Sequence, residues 1–226
     1  MAFPEPLDHP LPRVLPRGPH GLARDVVQAS QRARLLDAMA EAVAEKGYGT
    51  VSVADVISRA RVSRKTFYEH FRDKLDCFLA AYEMGVEVLL ETVRRAGDGA
   101  RDPLAVTRAR IRAYLQTLAA EPAFARTFLI EVSAAGPAAI ERRRAVHRQF
   151  AALARELVES VPGAPELPDE LYLAAVGATS EVVSAWVVEG RIEQLPELEG
   201  ALFHIHMSLL SRPFSAPRAA PGTPRA

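Results

Sequence analysis

Between Thr50 and Asp76 the chain gathers side chains suited to gripping a polyanion. Ser63-Arg64-Lys65-Thr66 is followed by Tyr68, His70 and Lys74. Arg64 and Lys65 can donate to guanine O6 and N7, and the Thr66 methyl can touch a thymine methyl. Ser63, Tyr68, His70 and Lys74 flank them at spacings that suit phosphate oxygens. Thr50 offers one more hydroxyl, either to a phosphate or to its own backbone as a cap. The chemistry implied is readout of duplex DNA. The plainer reading of the same residues is a pair of capped helices with a solvated basic edge.

Three helix starts must position these side chains. Ser52 precedes an apolar run and has Asp55 three residues on, so a hydroxyl can accept from an orphan amide beside a carboxylate in the first turn. Val53, Val56, Ile57 and Ala60 then recur at the spacing of one helix face. Ser63 caps a second short helix whose Phe67 and Phe71 share a side. Asp73 caps a third, again with an acid, Asp76, three residues later. Two short helices joined by a turn of about three residues, the second loaded with donors at its front, form a helix-turn-helix pattern.

Val62-Ser63-Arg64-Lys65-Thr66-Phe67-Tyr68-Glu69-His70-Phe71-Arg72-Asp73-Lys74 resembles the DNA-binding signature of the TetR family of transcriptional regulators. The close resemblance covers roughly residues 30–80; beyond it, only the helical pattern and the length match. It implies a homodimer that represses from a double-stranded operator and lets go when a small-molecule effector binds the C-terminal domain. Two departures stand out. The family usually has glycine in the turn where this chain has Arg61, and often a small residue at Ile57. Arg61 is therefore expected at positive φ, at a cost of about 1 kcal/mol, and can itself contact a phosphate.

The chain has 226 residues, with 28 basic and 28 acidic side chains and no net charge. The distribution is uneven. Arg13 to Lys74 holds 12 basic and 7 acidic residues, an excess of five that the remainder must offset. A basic front on an acidic body suits a protein that meets DNA with one end. The single cysteine, Cys77, excludes an intramolecular disulfide framework, and a buried, inert thiol is its expected state. The Pro-rich start lacks the apolar core of a signal peptide. No continuous apolar run approaches the roughly 18 residues of a membrane helix, so no membrane partner and a cytoplasmic location are expected.

The fold class expected is all-α, with about nine helices: a three-helix DNA-binding domain followed by a larger ligand-binding and dimerisation domain. Residues 1–28 carry Pro4, Pro6, Pro10, Pro12, Pro16 and Pro19, which exclude a helix. With Arg13, Arg17, His20 and Arg24 they form either an arm for the minor groove or a solvated tail. Residues 29–76 form the DNA-binding domain, its first helix running from a Ser30 cap to Lys46 with Gly47 as its stop. Residues 77–212 form the body, and 213–226 a disordered tail.

Within the body, a helix from Asp73 to about Arg95 carries one unbroken apolar stripe and is the natural lever between the two parts. Further helices start at Pro103, Pro122 and Pro137, the last with Arg142-Arg143-Arg144 on a solvated face. Residues 161–168 form a loop. A helix over 169–189 is rich in small residues, including Ala174, Gly177, Ala178 and Ala185, and a last one follows Pro196. This final pair forms either a dimer face closed as a four-helix bundle with a second copy, or a cover over the other helices. The helices between are expected to enclose an apolar effector cavity lined by Tyr82, Val86, Tyr114, Phe128, Phe150 and Trp186, with Glu131 and His147 as polar anchors.

Other chemistry finds little support. The chain has no Gly-x-Gly-x-x-Gly, Walker loop or His-Glu-x-x-His. His204 and His206 stand two apart on a helix and face different ways, a poor metal pair. No nucleophile, base and orienter form a set, so neither an enzyme nor a cofactor is expected. The alternative to an effector-released repressor is a DNA-binding activator or architectural protein without an inducer.

Overall fold

The computed structural model describes residues 24–164 and 166–211. They form α1 (Arg24–Lys46), α2 (Val53–Ala60), α3 (Arg64–His70), α4 (Lys74–Arg95) and α5 (Pro103–Ala120). Next come α6 (Pro122–Arg126), a π turn (Thr127–Glu131) and α7 (Val132–Ala134), which follow one another without a break. The chain closes with α8 (Pro137–Glu159), α9 (Asp169–Val188), a 3-10 segment (Ile192–Leu198) and α10 (Glu199–Leu210). No strand occurs among the described residues. The two terminal segments expected as an arm and a tail lie largely outside the described residues.

The first helix corrects the expected boundary. It starts at Arg24, so residues 24–28 belong to it and not to an arm. Ser30 is buried inside it and does not mark its start. Asp25 in the first turn meets the positive end of the helix dipole. Gly47 ends the helix at φ 77°, the left-handed conformation that costs glycine least. The face of α1 that carries Leu35, Leu36, Met39 and Val43 is fully buried. Ion pairs tie its far end to α2: Arg59 reaches Glu41 and Glu45, and Lys46 reaches Asp55.

α4 joins the two parts of the chain. Cys77, Phe78 and Tyr82 are sealed near its start, and Leu89 and Val93 near its end. A single buried cluster runs from Leu35 in α1 through this helix to Leu202 in α10. The front of the protein and its body therefore share one core. Gly85 permits a close approach between α4 and α6: a Cβ placed there would stand 2.3 Å from the Phe124 ring.

Two further expectations are revised. Arg143 does not share the solvated face of its neighbours. Arg142 pairs with Glu83 and Arg144 with Glu141, but Arg143 turns inward to donate to Ser133 and Ser180. And α9 is, by length and composition, apolar enough to cross a membrane. Alanine, valine and leucine give it that character across interruptions such as Glu181, which a search for unbroken apolar runs passes over. The helix packs on α8 and α10.

Candidate nucleic-acid interface and effector cavity

The short α3 is oriented by its aromatic side. Phe67 is fully buried and Phe71 nearly so, which forces Arg64, Lys65, Tyr68 and Glu69 outward. Ser63 caps the helix by accepting from the Thr66 amide at 3.0 Å. The Ser63 and Thr66 hydroxyls also bond each other at 2.9 Å. That pairing leaves the Thr66 methyl as the part of the side chain free to meet a base. α2 starts with a reciprocal cap between Ser52 and Asp55 and ends at Arg61, whose φ of 53° and ψ of 46° are left-handed. Arg61 is the one non-glycine residue at positive φ among the described residues.

The cations around α3 divide into two groups. Arg64 and Arg61 are exposed with no ion pair among the described residues. Lys65 points into solvent with a loose Glu69 partner at 3.9 Å. Lys74, expected as a phosphate grip, is instead half-buried. Its ammonium donates to the carbonyls of Tyr48 at 2.8 Å and Val51 at 2.9 Å and sits 4.2 Å from the centre of the Tyr48 ring. It clips the α1–α2 turn to the start of α4. His70 is half-buried beside Gln31, and burial together with the charge of Arg32 pushes its imidazole below the usual histidine range. A neutral ring still offers one N–H. Thr50 is exposed in the turn.

In the body, a cavity of about 430 Å³ opens between α4, α5, α8, α9 and α10. Of the eight residues expected to line it, Tyr114, Phe128, His147 and Phe150 do. Tyr82, Val86, Glu131 and Trp186 do not. Tyr82 is sealed behind Phe128, its ring stacked on it at 5.7 Å, and Val86 lies in the core. Trp186 carries the Arg191 guanidinium 3.5 Å over its ring. Glu131 faces the front of the molecule, where it accepts from the Tyr48 amide at 2.8 Å.

The cavity wall also holds residues that periodicity alone did not single out as ligand contacts: Thr107, Arg110, Thr179, Ser180 and His206. Thr107 and Arg110 stand seven and four residues before Tyr114, on its side of α5, which is the signal that could have found them. The Thr179 hydroxyl donates to the Ala175 carbonyl and faces His206 Nε2 at 3.0 Å. With its proton so committed, Thr179 accepts from His206 Nε2–H. Burial pushes the His206 imidazole down to about 4 and lowers that of His147, with Arg143 adding to the effect. Both rings are therefore neutral at pH 7. Cys77 is buried with its thiol pushed up to about 12, which leaves it without thiolate reactivity.

Residues 35–81 match the profile of the bacterial regulatory proteins of the tetR family. This stretch carries the DNA-binding domain of the TetR family. The match spans α2, α3 and the clip at Lys74, so the helix-turn-helix described above is its DNA-binding domain. The HTH-type transcriptional activator FasR of Mycolicibacterium smegmatis is 29% identical over 99 residues, covering 44% of this chain and 45% of that protein. The transcriptional regulator AcuR of Cereibacter sphaeroides is 36% identical over 107 residues, 46% of this chain and 48% of that one. The chain thus spans about half the length of the curated relatives it matches.

The likeness in fold extends much further. The fatty acid degradation regulator FadR from Bacillus halodurans superposes with a TM-score of 0.71 at 20% identity, over 78% of this chain and 94% of that one. FadR from Bacillus subtilis, solved in complex with stearoyl-CoA, gives 0.68 at 18% identity, over 79% and 97%. The likeness in fold therefore includes the helical body as well as the front. These are transcriptional regulators and not enzymes.

Proposed function

We propose that this TetR-family chain is a cytoplasmic, homodimeric repressor, released from a near-palindromic operator when an apolar small molecule enters the body. The observation that carries this reading is one continuous core joining an apolar cavity to an outward-facing, cation-bearing α3. Arg64 and Lys65 read guanine edges, and the Thr66 methyl meets thymine. Ser63, Tyr68, His70 and Thr50 hold phosphates. Two copies place their α3 helices about 34–36 Å apart in successive major grooves. The exposed sides of α9 and α10 form the contact between copies.

Ligand acts only if it binds the DNA-free and DNA-bound arrangements with unequal affinity. Two physical links support such a difference. Val93 and Phe128 line the cavity. Val93 lies in the last turn of α4, whose first residue, Lys74, clips the turn before α2. Phe128 belongs to the π turn, whose Glu131 holds the Tyr48 amide. Selection of bound sequences from random duplex DNA tests the reading. A two-fold symmetric consensus is expected, and absence of any sequence preference at every salt concentration overturns it. A second reading, an activator, is favoured by the naming of FasR as one. Transcription in vitro from a promoter carrying the selected site decides between them.

A further inference from the structure

The charges around the cavity point to the chemical class of its occupant; this step rests on the ligand-controlled reading above. Among the residues that line it, none is acidic and only Arg110 carries a permanent charge. Arg110 is half-buried on α5. Its Nη1 donates to the Leu153 carbonyl of α8 at 2.9 Å. Its Nε is buried without a hydrogen-bond partner, and no carboxylate lies in ion-pair range of it among the described residues. Glu156 and Asp98 act on it only from a distance, and both are exposed outside the wall.

A second cation strengthens the same field. Arg143 spends its hydrogen bonds on the hydroxyls of Ser133 and Ser180, the latter a wall residue. Its charge reaches both His147 and Tyr114. The remaining polar groups are neutral hydroxyls and two neutral imidazoles. A half-buried guanidinium that lacks a counter-ion is costly, and an anion arriving with a ligand offsets that cost. Planar guanidinium matches carboxylate geometry. The rest of the wall is aliphatic and aromatic, with Leu153, Leu157, Val176 and Phe150 prominent. The volume of about 430 Å³ accommodates an apolar chain of about a dozen carbons.

We propose that the effector is an amphipathic monoanion, an apolar chain ending in a free carboxylate that pairs with Arg110. Calorimetric titration of the full chain at neutral pH with dodecanoate, dodecanol and dodecanoyl-coenzyme A tests this. Dodecanoate is expected to bind about tenfold or more tightly than dodecanol, the worth of one charge-assisted contact. Arg110→Gln is expected to erase that preference, and Arg110→Lys to keep most of it. The wild-type comparison stands even if a variant misfolds. Equal binding of acid and alcohol overturns the anion assignment and leaves the ligand-controlled reading intact. Preference for the coenzyme A ester, lost in Arg110→Gln, moves the anion to a nucleotide phosphate and overturns the carboxylate. Binding of none of the three overturns the assignment, and a screen of neutral apolar compounds then decides the ligand-controlled reading separately.

Discussion

Arg61 sits in a backbone conformation that glycine adopts at less cost. A left-handed non-glycine residue costs about 1–2 kcal/mol, and glycine gives back roughly 0.4–1 kcal/mol through its looser unfolded state. Arg61→Gly is therefore expected to raise stability by roughly 0.5–1 kcal/mol, read from the urea midpoint. A loss of stability would show that the arginine side chain holds the turn. Arg64 and Lys74 separate two roles that look alike as sequence. Arg64→Ala should cost about 1–3 kcal/mol of operator affinity and relax base preference, with the unfolding midpoint unchanged. Lys74→Met should do the reverse in kind, removing charge-assisted bonds to two carbonyls and about 1.5–3 kcal/mol of stability. The caps at Ser52, Ser63 and Asp73 were legible because their partners lie three residues away. The clip at Lys74 was not, because its acceptors lie 26 and 23 residues back.

Two elements of the body respond to conditions in ways that can be measured. Burial lowers His206 from 6.5 to about 4. Between those values the unfolded chain binds protons that the folded one refuses. This contribution to stability is therefore complete above pH 6.5 and declines as pH falls toward 4. His206→Gln should flatten that stretch of the stability profile, measured by urea unfolding at successive pH values; an unaltered slope would place the proton uptake elsewhere. The π turn is the second element. It carries Phe128 in the cavity wall and Glu131 against the Tyr48 amide. Glu131→Ala should leave effector affinity within about twofold, while reducing the effector's influence on operator affinity, a coupling typically of about 1–3 kcal/mol. Full coupling in that variant would assign transmission to α4 alone. Helical spacing located Phe128 correctly but assigned Glu131 to the cavity. An extra residue in one turn rotates everything after it, and its partner lies 83 positions away. Arg110 escaped notice for a related reason: that a charged side chain is buried is decided by the neighbouring helix, not by its own.

At the scale of the molecule, the exposed apolar side of α9 has no covering element among the described residues. Val188 is 67% exposed and Leu173 37%, with Ala174, Ala178 and Ala185 also uncovered or half-covered. On α10, Gly200, Ala201 and Ser208 are exposed. Small residues on both helices let a second pair approach closely, the geometry of a four-helix bundle. The abundance of small side chains was readable from the sequence, whereas which of them face out depends on α8 and α10 and was not. Gly177 offers a clean probe of the contact. A Cβ there meets nothing within 4 Å, so Gly177→Glu is tolerated by the protomer and improves helix propensity by several tenths of a kcal/mol. Against a second copy, the same substitution places a charge and a longer side chain where close packing is required. The dimer dissociation constant should rise about tenfold or more, equivalent to roughly 1.4 kcal/mol, as followed by sedimentation. Operator binding at low protein concentration should weaken with it, because one α3 reaches only half of a two-fold site, while the helical circular dichroism stays unchanged. Unaltered sedimentation and DNA binding in Gly177→Glu would mean that copies of this chain meet through some other surface.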